Sequence, residues 1–167
     1  MHWWIIFMSH TPTGKAVTNL ILEVFRLNGR LLVAGDRLVA KLNLTSARWQ
    51  VLGAVGHAEM PQPVAWLARS MGLNRQGVQR IVNELLTEGF LEVRSNPNHR
   101  RAHFVILTKL GTSVFEAAQR LQEPWVNGLA EGLPADDVAT ALRVIETLRK
   151  RLEIAGETLP KENDRSP

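Results

Sequence analysis

Residues 63–89, PVAWLARSMGLNRQGVQRIVNELLTEG, decide the fold, because they hold two amphipathic helical patterns separated by a glycine. Gly72 can adopt the left-handed backbone of a tight turn, and Asn74 is a preferred N-cap for the helix that follows. That second helix has apolar residues at helical spacing: Val78, Ile81, Val82, Leu85 and Leu86. With the small Ala68 at the crossing point of the two helices, the spacing predicts a helix-turn-helix.

A β-hairpin is predicted directly after this unit. Two short runs, residues 90–94 and 103–107, alternate in and out as half-buried strands do. The segment between them, SNPNHRR, combines turn-forming residues with two arginines. A helix-turn-helix followed by a basic hairpin indicates a winged helix-turn-helix, in which the hairpin (residues 90–107) is the wing.

A long helix is predicted on the N-terminal side, from Pro12 to Leu42 with Thr11 as its cap. Its apolar residues recur at alternating steps of three and four: Val17, Leu20, Val24, Leu27, Leu31, Ala34 and Leu38. A stripe of this length favours contact with a second chain. The alternative is a long helix buried within its own chain.

The remaining predicted helices lie on either side of the winged unit. Thr45 or Ser46 caps a helix over TSARWQVLGAVGH. Thr108 caps a helix that runs toward Gln122 and is interrupted at Pro124. A last helix begins near Asp136, after the breaker Gly-Leu-Pro at 132–134.

These elements predict a mainly α (α+β) fold with four kinds of segment. Residues 1–10 form an N-terminal extension, and residues 45–108 form a winged helix-turn-helix DNA-binding lobe. Residues 11–44 and 109–155 form a helical region on either side of that lobe, from the N- and C-terminal helices. Residues 156–167, which are polar and contain proline, are predicted to be a disordered tail.

Composition narrows the function of the chain. Its 167 residues contain no cysteine, which excludes disulfides, Cys-ligated zinc, iron–sulfur clusters and a thiol redox sensor. Residues 1–104 carry 12 Lys and Arg against 6 Asp and Glu, so the front of the chain is basic and suits a polyanion. The apolar run over residues 3–8 is too short to span a membrane. The sequence predicts a cytoplasmic protein with no membrane partner.

Two sets of residues are candidates for contacts with duplex DNA. Arginine can donate twice to guanine, and glutamine or asparagine can pair with adenine, so the polar face of the second helix suits base reading. The base-reading candidates are Asn74, Arg75, Gln76, Gln79 and Arg80. The candidates for phosphate or minor-groove contacts are Thr45, Ser46, Arg94, His99, Arg100 and Arg101. The alternative for both sets is an ordinary solvated surface.

Other kinds of site find less support. His99 and His103 are four residues apart on a hairpin with no carboxylate beside them, so no metal site is predicted. No catalytic constellation and no cofactor motif is present, so the sequence predicts that the chain is not an enzyme. A cavity for an aromatic anion could be lined by four residues, although core packing explains the tryptophans better: Arg48, Trp49, His57 and Trp66.

The motifs LTSARWQVLGAV (44–55), VAWLARSMGLNRQGVQRIVNELLTEGFLEV (64–93) and NPNHRRAHFVILTKLG (96–111) resemble the MarR family of bacterial transcription regulators. The resemblance covers about residues 15–155, and its most specific pieces are Leu107-Thr108 with Gly111 and the pair Leu91-Glu92. The family's wing carries an Asp two positions before an Arg. Arg101 matches that Arg, and His99 stands where the Asp would be.

The resemblance implies a homodimer whose helical dimerisation region is built from the first and last helices, here residues 11–44 and 109–155. It also implies that the two lobes read a pseudo-palindromic operator and that a small effector, often phenolic or a carboxylate, releases the DNA. Half-sites about one helical turn apart, roughly 10 base pairs, would let both recognition helices enter the major groove on one face. The sequence therefore predicts a DNA-binding transcription regulator, more readily a repressor than an activator. The alternative function is a winged-helix protein-interaction adaptor without specific DNA binding.

Overall fold

The computed structural model describes residues 11–97, His99 and 101–158, so the predicted extension 1–10 lies outside the described residues. The chain is mostly helical with one small antiparallel sheet, which confirms the predicted fold class. The helices are α1 (Pro12–Val39), α2 (Ser46–Gly56), α3 (Val64–Ser70), α4 (Arg75–Thr87), α5 (Lys109–Ala130) and α6 (Ala135–Thr158). The strands are β1 (Gln62–Pro63), β2 (Leu91–Arg94) and β3 (Phe104–Leu107).

The chain forms two compact units, one ending at Pro124 and the other beginning at Trp125. The core of the first unit lies where α2, α3, α4 and the sheet meet. Its largest fully buried side chains come mostly from these helices: Leu52, Leu67, Leu85, Val39, Val51, Val78 and Val82. The residues that predicted the helix-turn-helix are therefore the ones that hold it together.

The sheet has the order β1-β3-β2. The predicted hairpin is confirmed by β2 and β3, which pair antiparallel from Leu91 opposite Leu107 to Arg94 opposite Phe104. Strand β1 was not predicted, because two residues are too few to show an alternating pattern. It pairs with β3 through Gln62 opposite Val105, so the segment before α3 is anchored to the wing.

Helix α1 begins as predicted, with Thr11 Oγ1 accepting a hydrogen bond from the backbone N–H of Gly14 at 3.0 Å. It ends at Val39, and residues 40–42 form a 3-10 turn instead of continuing the predicted helix. Asn43 follows with a φ of 56°, a left-handed conformation that asparagine tolerates and that ends a helix. The predicted C-terminus at Leu42 was therefore three residues too late.

Two predicted boundaries in the C-terminal half were wrong. Helix α5 continues through Pro124 to Ala130, because a proline removes one backbone hydrogen bond and bends a helix without always ending it. Helix α6 continues to Thr158, three residues into the segment predicted to be disordered. The rest of that segment, residues 159–167, lies outside the described residues. A single glycine, Gly156, costs only about 1 kcal/mol in a helix and does not stop it.

Candidate nucleic-acid interface

The turn between α3 and α4 sets the direction of the second helix. Gly72 has a φ of 66°, and the N–H of Leu73 donates to the carbonyl of Ala68 at 2.9 Å. Ala68 is buried, so α4 can cross α3 closely. Helix α4 turns Val78 and Ile81 into the core, and its opposite face points away from the protein.

The first turn of α4 carries three of the base-reading candidates. Arg75 and Gln76 are exposed, and Arg75 makes no ion pair within the described residues. Asn74 is the N-cap, and its Oδ1 accepts from the N–H of Gly77 at 2.7 Å. The cap uses one lone pair of Oδ1 and leaves Nδ2 free of this bond, so base reading by Asn74 stays a prediction.

The other two base-reading candidates are paired along α4. Gln79 Nε2 donates to Asn83 Oδ1 at 2.9 Å, and Arg80 NH1 donates to Glu84 Oε1 at 2.9 Å. Both pairs span four residues, the spacing at which side chains of a helix meet. Exposed pairs of this kind contribute about 0.3–0.5 kcal/mol, so a base edge can replace either partner at little loss.

The wing holds the basic candidates at its end. Arg94 donates through Nε and NH2 to Glu92 Oε1 at 3.2 and 3.1 Å, so its charge is partly balanced by its own strand. Arg101 and His99 are exposed, and no described acidic side chain pairs with Arg101. Arg100 lies outside the described residues. Arg94 and Arg101 are the two predicted wing arginines that the structure describes, and of these Arg101 has no carboxylate partner among the described residues.

Thr45 and Ser46, the two candidates for phosphate contact at the start of α2, differ in their exposure to solvent. Thr45 is the N-cap, accepts from the N–H of Arg48 at 3.2 Å, and is exposed. Ser46 is 5% exposed, its N–H donates to Asp36 Oδ1 at 2.6 Å, and its hydroxyl accepts from Gln50 Nε2 at 3.3 Å. The structure corrects the phosphate prediction for Ser46, because a hydroxyl buried between α1 and α2 cannot reach DNA.

A small cavity lies between α4 and the wing, and we call it the α4–wing cavity. Its volume is about 160 Å³, and its apolar lining includes Val82, Val93 and Val105. Arg75 and Arg101 also line it, and neither makes an ion pair within the described part of the chain. A cavity of about 150 Å³ can hold benzene, so this one can hold an aromatic ring beside two guanidinium groups.

The four residues predicted to line an effector cavity have separate surroundings. Arg48 forms an ion pair with Glu88, and Trp49 packs against the buried core. The ring of His57 meets that of Phe115 edge-to-face at 5.1 Å. Trp66 is 64% exposed and lines a cavity beside the wing. Three of the four residues therefore already contact other side chains of the protein, and the effector cavity stays a prediction.

Sequence reasoning missed part of the recognition face. Glu84 and Thr87 share the outer groove of α4 with Asn83 and the predicted base-reading residues. The spacing of Arg80 and Glu84 could have identified that pair. Within residues 11–97, 99 and 101–158, no group of three or more His, Asp or Glu side chains could hold a metal ion, and no helix is long and apolar enough to cross a membrane.

Comparison with known proteins gives a consistent result. A family model described as MarR family matches residues 42–102. An uncharacterized protein of Mycobacterium tuberculosis (strain ATCC 25618 / H37Rv) is 35% identical over 136 residues, covering 81% of this chain and 92% of its own. The multiple antibiotic resistance protein MarR of Salmonella typhimurium (strain LT2) is 30% identical over 148 residues, covering 88% and 94%.

Two solved structures superpose on this chain over most of its length. A mutant MarR of Escherichia coli complexed with operator DNA superposes with a TM-score of 0.64 at 26% identity, covering 78% of this chain and 96% of its own. CouR of Rhodococcus jostii RHA1, bound to p-coumaroyl-CoA, has a TM-score of 0.64 at 20% identity, covering 86% and 95%. The second likeness shows a shared fold.

Proposed function

The chain belongs to the MarR family of transcription regulators, and from that membership we propose that it is a homodimeric, sequence-specific DNA-binding repressor. One observation carries the proposal: α4 turns a row of exposed amide and guanidinium groups outward, beside Arg101 of the wing. Amides and guanidinium groups match the donor and acceptor pattern of the major groove. The E. coli MarR that superposes on this chain is complexed with operator DNA, which supports the same role here.

Helices α1 and α6 support the homodimer. Phe25 is 69% exposed, and further large apolar side chains of α1 are at least 40% exposed: Leu22, Leu27, Leu31 and Val33. Helix α6, taken by itself, exposes Val138, Leu142, Ile145 and Leu152. Many large apolar side chains exposed along one helix are unusual on a monomer and typical of protein interfaces. A second copy would bury them and present two recognition helices to half-sites about 10 base pairs apart.

The α4–wing cavity supports release by a small anionic effector. An aromatic carboxylate would place its ring on the apolar floor and its charge beside Arg75 and Arg101. Because the same two arginines are candidates for DNA contacts, bound effector and bound DNA would compete for them. The superposed CouR is bound to p-coumaroyl-CoA, an aromatic acyl ligand, which supports effector binding in this fold.

The proposal is tested by selecting bound fragments from genomic DNA and repeating the selection at higher salt. We expect fragments that share a sequence with dyad symmetry and half-sites about 10 base pairs apart, with steep salt dependence of binding. Fragments without dyad character, retained weakly at every salt concentration, would contradict the proposal. They would favour the protein-interaction adaptor.

The homodimer is tested separately by sedimentation of a Phe25→Asp variant. A charge placed on the apolar face of α1 should dissociate the dimer, because it would be buried without a partner. Leu73→Asp is the control, since Leu73 is 49% exposed in the turn of the helix-turn-helix. A monomeric wild type, or equal dissociation in both variants, would contradict the homodimer.

A further inference from the structure

A second cavity lies against the wing, and we call it the Trp66 cavity. Its volume is about 490 Å³, within the range of small-molecule sites. One wall comes from the segment before α3 and from α3 itself, and the other comes from the wing. The residues that the argument uses are Glu59, Met60, Trp66, Asn96, His99 and Phe104.

The apolar part of this cavity is aromatic and open to solvent. Trp66 is 64% exposed and Met60 is 73% exposed, although the neighbouring Leu67 is fully buried. Phe104 is half-buried on the facing strand. Helix α3 therefore directs its leucine into the core and its tryptophan toward the cavity. Two aromatic rings and a thioether provide polarisable surface, which attracts cations at the ring faces.

The charge of this cavity is opposite to that of the α4–wing cavity. Glu59 makes no ion pair with any described residue. The described lining of the Trp66 cavity therefore has a carboxylate and no lysine or arginine. The described lining of the α4–wing cavity, in contrast, contains two guanidinium groups and no acidic residue.

We propose that the Trp66 cavity binds an organic cation that carries aromatic groups. The cation would lie against the faces of Trp66 and Phe104, with the carboxylate of Glu59 balancing its charge. The site lies entirely within the first compact unit. It is distinct from the anionic effector site proposed above, although Pro63 and Ala102 contribute to both cavities.

A ligand in this cavity would contact the wing as well as α3. The wing wall is held by Asn96 Nδ2, which donates to the carbonyl of Ala102 at 3.0 Å, and by the N–H of His99, which donates to the carbonyl of Asn96 at 3.2 Å. A cation that touches both walls would therefore link the basic wing to the helix-turn-helix. Its binding requires no DNA, so the proposal is tested independently of the operator.

The test compares two ions of nearly equal shape and opposite charge, tetraphenylphosphonium and tetraphenylborate, by titration calorimetry of the full chain without DNA. The chain has a formal net charge of +4, which by itself favours the anion. We expect the phosphonium to bind at least about tenfold more tightly, because the local carboxylate and ring faces outweigh the net charge. The comparison is repeated in an Arg75→Ala/Arg101→Ala variant, which removes the two guanidinium groups of the proposed anionic site. In that variant, equal affinities, tighter binding of the borate, or no heat with the phosphonium would overturn the proposal.

Two variants locate the binding. Trp66→Ala should weaken phosphonium binding at least about tenfold, and Glu59→Gln should reduce the preference for cation over anion. The matched controls are Leu110→Ala, an exposed apolar residue of α5, and Glu116→Gln, an exposed carboxylate of the same helix. Unchanged phosphonium affinity in Trp66→Ala, or equal losses in variant and control, would overturn the proposal. Equal melting temperatures would establish that every variant is folded.

Discussion

Arg48 in the first turn of α2 donates through NH2 to the carboxylate of Glu88, the residue that caps the C-terminus of α4. The two side chains are 12% and 31% exposed, the lowest exposure of any ion pair among the described residues. Asn43 Nδ2 also donates to Glu88, at 3.3 Å. The end of the proposed recognition helix is therefore fastened to the segment where α1 passes into α2.

Replacing Glu88 with glutamine should lower the free energy of unfolding by about 1–3 kcal/mol, because the largely buried guanidinium of Arg48 would lose its counter-charge. Adding Arg48→Met to this variant should recover part of the loss, since no buried charge would then remain. The measurement is urea unfolding at one fixed protein concentration.

The control for this prediction is Glu153→Gln, which breaks an exposed ion pair with Arg149. The side chains of that pair are 56% and 53% exposed, so the change should be below about 0.5 kcal/mol. If Glu88→Gln and Glu153→Gln lowered the free energy of unfolding equally, the Arg48–Glu88 pair would stabilise the protein no more than an exposed surface pair does.

The parts of the fold that depend on neighbouring residues could be predicted from the sequence. The helix-turn-helix followed from Ala68, Gly72 and the spacing of the α4 core, and the structure confirms all three. The hairpin followed from two alternating runs and a turn segment. Each of these patterns reports the burial of one face of one element, which is encoded within a few residues.

Features that depend on distant partners could not be predicted. Arg48 and Glu88 are 40 residues apart, and nothing near Arg48 indicates its partner. Strand β1 exists because β3 lies beside it, and its two residues carry no pattern of their own. The sequence predicts Trp66, with Trp49, to line a cavity or to pack in the core, because tryptophan is on average a highly buried residue.

A substitution at Gly111 tests how closely α5 packs against Phe90, at the start of the wing. A Cβ atom at this position would lie 1.9 Å from the carbonyl oxygen of Phe90, so the backbone must move to accept a side chain. The same carbonyl accepts from the N–H of Thr108 at 3.1 Å, and that bond would be strained as well. We expect Gly111→Ala to lower the free energy of unfolding by about 3 kcal/mol or more, measured by urea unfolding.

Gly128→Ala is the matched control for this substitution. Gly128 also lies in α5, and a Cβ atom there would have no neighbour within 4 Å. Alanine should therefore raise helix stability by about 0.5–1 kcal/mol. If Gly111→Ala were as stable as the wild type, the close approach of α5 to Phe90 would not exist in solution.

Glu84 places a carboxylate on the face of α4 that is proposed to enter the major groove. Glu84→Gln should tighten binding to any duplex several-fold at low salt, because it removes repulsion from phosphates and releases Arg80 from its pair. Fluorescence anisotropy with operator and with scrambled duplex measures the change. Glu116→Gln, an exposed carboxylate of α5, is the control.

A different outcome for Glu84 would be equally informative. A carboxylate can accept a hydrogen bond from the amino group of cytosine in the major groove. In that case Glu84→Gln would weaken operator binding and leave scrambled duplex unchanged. Such a result would contradict the repulsive role and assign Glu84 to base reading.

Alanine substitutions of Arg101 and Arg75 should distinguish a phosphate contact from a base contact. Arg101→Ala should weaken binding to operator and to scrambled duplex equally and flatten the slope of log affinity against log salt by about one unit, because one phosphate contact is lost. Arg75→Ala should cost about 1–3 kcal/mol on the operator alone, because a base contact adds nothing on other sequences. Both are measured by anisotropy over a series of salt concentrations.

Arg143→Ala on α6 is the control for both substitutions, since its guanidinium already donates to Thr140 Oγ1 at 2.8 Å. If Arg101→Ala left the salt slope unchanged, the wing would not contact the backbone of the duplex. Because Arg75 and Arg101 both line the α4–wing cavity, each substitution should also reduce release of DNA by benzoate. Release that persisted unchanged in both variants would place the anionic effector elsewhere in the protein.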